Sequence, residues 1–132
     1  MASIRKEFVV EASAAQVWSA VRDFGAVHQR LAPGFVVDTQ LDGDTRVVTF
    51  GNGMTARERL IDLDDTARRL VYAVVGGKFT HDNAVVQVIP EGEGRCRFVW
   101  QRDMLPNELA PAITRMMDQG AEVMRAALTR KG

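Results

Sequence analysis

At 132 residues, with 17 basic and 17 acidic side chains that cancel, the chain is long enough to bury a real core as one domain, 1–132, and has no charge excess to draw it to nucleic acid or an anionic membrane surface. No apolar run nears the roughly 20 residues of a membrane helix, and Met1 to Glu7 lacks the apolar centre of a secretion signal. The lone cysteine, Cys96, excludes an internal disulfide, suits a reducing cytoplasm and reads as a small buried hydrophobe.

The first element is a strand, Ile4 to Val10, where Ile4, Phe8 and Val10 alternate with charge. Ser13 and Gln16 have the spacing of a capping box, so a helix opens there with Val17, Trp18, Val21 and Phe24 as its buried stripe. Asp23 is placed to cap a second short helix that runs to Leu31 and stops at Pro33-Gly34. Six more strands follow: Phe35 to Leu41, Arg46 to Phe50, Met54 to Leu63, Arg69 to Val75, Lys78 to Ile89 and Arg95 to Met104. Short turns separate them, among them Gly51-Asn52-Gly53, which holds the Asn-Gly hairpin signal. Spacing this regular predicts an antiparallel meander.

Pro106 ends the last strand, and a helix from Asn107 to Thr129 follows, capped by Asn107 or beginning at Pro111. Leu109, Ala112, Ile113, Met116, Met117, Gly120, Val123, Met124, Ala127 and Leu128 share one arc; the charged residues occupy the other. A face so apolar must be buried, and the sheet is its natural partner. Gly120, near the centre of that face, costs about 1 kcal/mol relative to alanine. Either helix and sheet approach closely there, or the missing side chain leaves room for a ligand. Met116, Met117 and Met124 flank it, and methionine suits adaptable surfaces. A curved sheet that touches a helix only in part encloses a cavity.

The order strand, two short helices, six strands, long helix resembles the START-like (SRPBCC) superfamily, which includes birch-pollen-allergen-like proteins, bacterial polyketide cyclases and lipid-transfer domains. Val17-Trp18-Ser19-Ala20-Val21-Arg22-Asp23-Phe24 is similar to the first helix of that family, and Phe98-Val99-Trp100 to its closing strand. Glu58 to Asp65 and Val74-Val75-Gly76-Gly77 are similar to strands of plant abscisic-acid receptors. The resemblance implies an α+β helix-grip fold: a seven-stranded curved antiparallel sheet around a long C-terminal helix, with two short helices between strands 1 and 2. The receptors hold the hormone's carboxylate with a strand lysine, where this chain has Phe35; their mobile gate is replaced by Gly51-Asn52-Gly53-Met54, and their latch by Phe79-Thr80-His81. Their acidic residue that reaches the ligand through water matches Glu58. Hormone reception of the plant kind is therefore not expected, whereas an apolar pocket with one carboxylate is.

Strand alternation supplies the candidate lining. With Glu58 inward, Leu60 is inward too, joined by Phe35, Val37, Val48, Tyr72, Ala84, Phe98 and Trp100, and by Ile113, Met116, Met117 and Gly120 from the helix; Ile61 and Val99 point outward. A β-bulge would shift this set by one. A carboxylate in an apolar cavity must be paired, hydrogen-bonded or protonated, and Arg102 is the expected partner of Glu58. Glu58, Tyr72 and Arg102 are the candidate catalytic groups if the pocket turns a substrate over; otherwise Glu58 is an internal ion pair or an edge residue, and Tyr72 fills space. Asp82 is inward or near the mouth. His28 and His81 read as rim residues, with no metal-ligand spacing. Arg57, Arg59, Arg95 and Arg97 form a solvated outer face among acids. No cofactor or metal is implied. Three roles stay open: a module that binds a small, largely hydrophobic molecule, a polyketide cyclase or dehydratase-type enzyme, and an interaction protein with a vestigial cavity. The chain is a monomer or homodimer.

Overall fold

The structure, a computed structural model, describes residues 2–129. Its strands are β1 (Ala2–Val10), β2 (Val36–Asp42), β3 (Thr45–Phe50), β4 (Thr55–Asp64), β5 (Arg69–Val75), β6 (His81–Pro90) and β7 (Cys96–Leu105). They form one antiparallel sheet in the order β1-β7-β6-β5-β4-β3-β2. Six strands thus follow one another as the predicted meander. The first crosses to the far edge and pairs with the last, Phe8 opposite Phe98, where the two rings stack 4.8 Å apart.

Helix α1 (Ala14–Arg22) begins at the predicted capping box. The Gln16 backbone N–H donates to Ser13 Oγ at 3.2 Å, and the Ser13 N–H donates to Gln16 Oε1 at 3.3 Å. Val17, Trp18 and Val21 are buried as expected. The second short helix differs from expectation. It is a single π-helical stretch, Val27–Leu31, preceded by Ala26 without a side-chain cap. Asp23 closes α1 instead, and its carboxylate accepts from Arg30 at 3.0 Å. Asp23 lies three residues ahead of the cap position, Ala26, and its carboxylate goes to the guanidinium instead.

A 3₁₀ turn, Asn107–Leu109, leads into α2 (Ala110–Leu128). Pro111 lies in the first turn of α2, so the helix starts there and Asn107 does not cap it. Met117, Gly120 and Met124 are the buried stripe of α2, and Lys6 of β1 forms an ion pair with Asp118 at 2.6 Å. The sheet curls around this helix in the helix-grip arrangement. Two register shifts assist the curl, one between Val36 and Asp38, the other between Leu60 and Asp62. Each inserts a residue, Val37 or Ile61, and a bulge bends its strand. Both side chains are turned out, 53% and 54% exposed.

Val99 lies on the outer face as its alternation with Phe98 and Trp100 requires, yet it is buried, because Glu7 of β1 and Gln87 of β6 lie directly opposite on either side. Elsewhere on that face the four expected arginines are paired with carboxylates. Arg57 pairs with Asp42, Arg59 with Asp44, Arg95 with Glu11, and Arg97 with Glu7 and Glu91. No helix among the described residues is long and apolar enough to cross a membrane.

Candidate functional site

Between the concave side of the sheet and the first half of α2 lies a cavity of about 650 Å³, within the roughly 300–1,000 Å³ of small-molecule sites. Its wall is mostly apolar: Phe35, Val36, Val48 and Phe50 from β2, β3 and the approach to β2, Val74, Val86 and Trp100 from the centre of the sheet, Ile113 and Met116 from α2. Exposed lining residues mark the mouth, with Met54 on the β3–β4 turn facing Ala112, Arg115 and Gln119 on α2. Gly51 does more here than turn the chain. A Cβ on it would stand 2.7 Å from the Gly34 carbonyl oxygen, and its N–H donates to the Phe35 carbonyl at 3.0 Å. Only glycine lets the end of β3 approach the segment that carries Phe35 so closely.

Of the residues expected to line the pocket, Phe35, Val48, Glu58, Tyr72, Trp100, Ile113 and Met116 do, and so does Arg102. Val37, Leu60, Ala84, Phe98, Met117 and Gly120 do not, each for a physical reason. Val37 is the inserted residue of the β2 bulge and leaves its inward place to Val36. Leu60 lies one inward position beyond Glu58, packed against the core beside Tyr72. The Ala84 methyl is flanked by its longer cross-strand partners, Tyr72 and Arg102. Phe98 is fully buried against Phe8, and Met117 is fully buried in the core. At Gly120 the close-approach alternative holds. A Cβ would stand 3.1 Å from Phe35 Cε2 and 3.2 Å from Trp100 Cζ3, so the space its missing side chain leaves is filled by two rings of the cavity wall.

The polar end of the cavity carries four charges in two pairs. Alternation on β3 points Arg46 inward with Val48 and Phe50, directly opposite Glu58 on β4. Arg46 Nε donates to Glu58 Oε1 at 2.8 Å, so the partner of Glu58 is Arg46 and not Arg102. Arg46 also donates from Nη1 to the Phe24 carbonyl at 3.3 Å. Its guanidinium carbon lies 4.1 Å from the Phe24 ring centre and 5.0 Å from that of Tyr72, a stacking that favours the cation. Arg102 is paired with Asp82, Nε to Oδ1 at 3.3 Å and Nη2 to Oδ2, with the Phe79 ring 5.5 Å from its guanidinium carbon. Asp82 is therefore an inward, fully covered carboxylate. Burial raises its pKa and the Arg102 bond opposes that rise. Asp82 takes the inward of its two expected positions, whereas Arg46 is not among the expected groups, although the period-2 pattern that turns Val48 inward places it on the same face.

The Tyr72 hydroxyl accepts from Trp100 Nε1 at 3.1 Å. Burial first, and the charge of Glu58 second, push its phenol pKa far above the ordinary range; Arg102 and Arg46 oppose the shift. At neutral pH Tyr72 is thus a donor and not a base. His28 is half-buried, its Nδ1 3.1 Å from Thr39 Oγ1, while His81 is exposed; neither lines the cavity. Among the described residues no group of three His, Cys, Asp or Glu is placed to hold a metal ion.

The sequence profile of the family described as polyketide cyclase / dehydrase and lipid transport matches residues 1–129. The chain belongs to that family. A solution structure from Thermobifida fusca is 32% identical, with a TM-score of 0.81 over 97% of this chain and 91% of that one. Two others show the shared START-like fold alone. A START superfamily protein from Mycobacterium smegmatis is 17% identical, with a TM-score of 0.74 over 96% and 93% of the two chains. Norcoclaurine synthase from Thalictrum flavum, a point mutant in complex with a transition-state analogue, is 23% identical, with a TM-score of 0.75 over 96% and 93%. No curated protein matches the chain in sequence.

Proposed function

We propose that this family member binds a small, largely hydrophobic molecule in the cavity between the sheet and α2. The observation that carries this reading is the cavity itself, about 650 Å³ of mostly apolar wall opening beside Met54 and Gln119. A well-packed domain leaves few voids larger than a water molecule, so a hollow of this size needs a purpose. It argues against an interaction protein with a vestigial cavity, for which a filled core is expected. Titration with Nile red, an uncharged environment-sensitive dye, is expected to saturate. Ala56→Phe, which projects a ring into the lining, should weaken that binding several-fold while the circular dichroism spectrum stays unchanged. Non-saturable binding, or full affinity in the variant, overturns the reading.

The second reading is a cyclase or dehydratase-type enzyme that uses the same cavity. It is favoured by the convergence of Glu58, Tyr72 and Arg102 on one end of the lining, where a carboxylate, a phenol O–H and a guanidinium can hydrogen-bond a single substrate. The synthase among its structural neighbours keeps a reaction site on the same fold. Turnover of a trial substrate that survives both Glu58→Gln and Tyr72→Phe removes these groups from any mechanism.

A further inference from the structure

The charges at the polar end bear on which guest the cavity takes. Arg46, Glu58, Asp82 and Arg102 are 4%, 9%, 5% and 4% exposed. Their charges cancel within two pairs, so a third charge would meet no net counter-charge there. Each pair nevertheless leaves atoms uncommitted. Arg46 bonds through Nε and Nη1, Glu58 through Oε1, and Arg102 through Nε and Nη2. No buried side-chain nitrogen or oxygen among the described residues lacks a hydrogen-bond partner. Arg46 Nη2, Glu58 Oε2 and Arg102 Nη1 make no hydrogen bond among the described residues, and all three residues line the cavity. Tyr72 stands among them, accepting from Trp100 and keeping its own O–H to donate.

The cavity end thus offers donors and an acceptor side by side, with no net charge. We infer that it selects an uncharged guest whose apolar body ends in an adjacent acceptor and donor, as in a hydroxy-ketone or a carboxamide, and discriminates against a carboxylate of the same shape. The acceptor of such a guest meets Arg46 Nη2 or Tyr72 O–H, and its donor meets Glu58 Oε2. A carboxylate would gain the first contact but set its charge against Glu58 in a site of low polarity, where like charges repel strongly. A pure hydrocarbon would shield these groups from water and pair none of them, which is costly.

This inference rests on the cavity being a binding site, and the test separates the two. Three probes share one skeleton: 2-naphthylacetamide, 2-naphthylacetate and 2-propylnaphthalene. Followed by naphthalene fluorescence at neutral pH, the amide is expected to bind about tenfold more tightly than either of the others, the scale set by one unpaired buried polar group. In Glu58→Gln, where Arg46 loses its neutralising partner, the order of amide and acetate should reverse. Acetate binding as well as or better than the amide to the unaltered protein overturns the inference and leaves the binding site standing, whatever the variant does. Saturable binding of none of the three overturns both.

Discussion

Gly120 illustrates how one missing side chain shapes a site from outside it. Phe35 and Trp100 stand 3.1 and 3.2 Å from where its Cβ would be, so any side chain here presses on two rings of the cavity wall. Gly120→Val is expected to lower stability by about 1–3 kcal/mol, the usual range for an overpacked core, and adding Phe35→Leu should recover part of that loss. Chemical denaturation of the two variants checks this; an unaffected single variant would mean that the rings shift freely. The sequence made the oddity of this glycine visible, because it stands mid-face in an apolar helix. It could not choose between a close approach and a ligand, since that depends on where two rings from the other side of the molecule come to rest. The same limit holds at Glu58. Alternation groups Glu58 with Leu60 but leaves open whether that group faces the cavity, and its partner is Arg46 on β3, not the expected Arg102 on β7.

At the scale of elements, the strands, their order and both α-helices were legible, since periodicity and turn residues mark them. The bulges were not. Nothing in Val36-Val37-Asp38 or Leu60-Ile61-Asp62 announces an inserted residue, yet the first of them exchanged Val37 for Val36 in the cavity wall. A second hidden feature is the clasp between α1 and the β4–β5 turn, where Asp65 accepts from Trp18 Nε1 and Arg22 Nε, each at 2.8 Å. In the sequence Asp65 is a turn residue and no more. The Arg22 bond first, and the Trp18 bond next, hold its pKa below the ordinary value of 3.8. A carboxylate lowered on folding contributes stability above its unfolded pKa and loses it as pH falls through its folded one. Asp65→Ala should therefore melt below the unaltered protein at neutral pH, with the gap closing as pH drops below 3.8. A gap that persists unchanged into acid would show that the clasp is not electrostatic.

At the scale of the whole molecule, the burial of Cys96 makes the thiol a reporter of global opening. It is fully buried on β7 beside the first strand, and burial, with the charge of Glu91 adding to it, pushes its pKa upward. An alkylating reagent at neutral pH should leave it untouched in the folded protein and modify it once denaturant exposes the sheet. Rapid labelling without denaturant would mean that the β1–β7 edge opens on its own.

That edge has a further consequence for how the protein is made. The segment Ala2–Val10 leaves the ribosome before the rest of the sheet, yet its hydrogen-bonding partner, Cys96–Leu105, is the last strand of the sheet to be made. During synthesis the opening strand must wait, its backbone unsatisfied and its Ile4, Phe8 and Val10 in search of shelter, while the meander zips up behind it. Pairing across so long a loop is the slow kind, and the waiting interval is when a nascent chain of this topology is most exposed to a chaperone or to its neighbours on the same message.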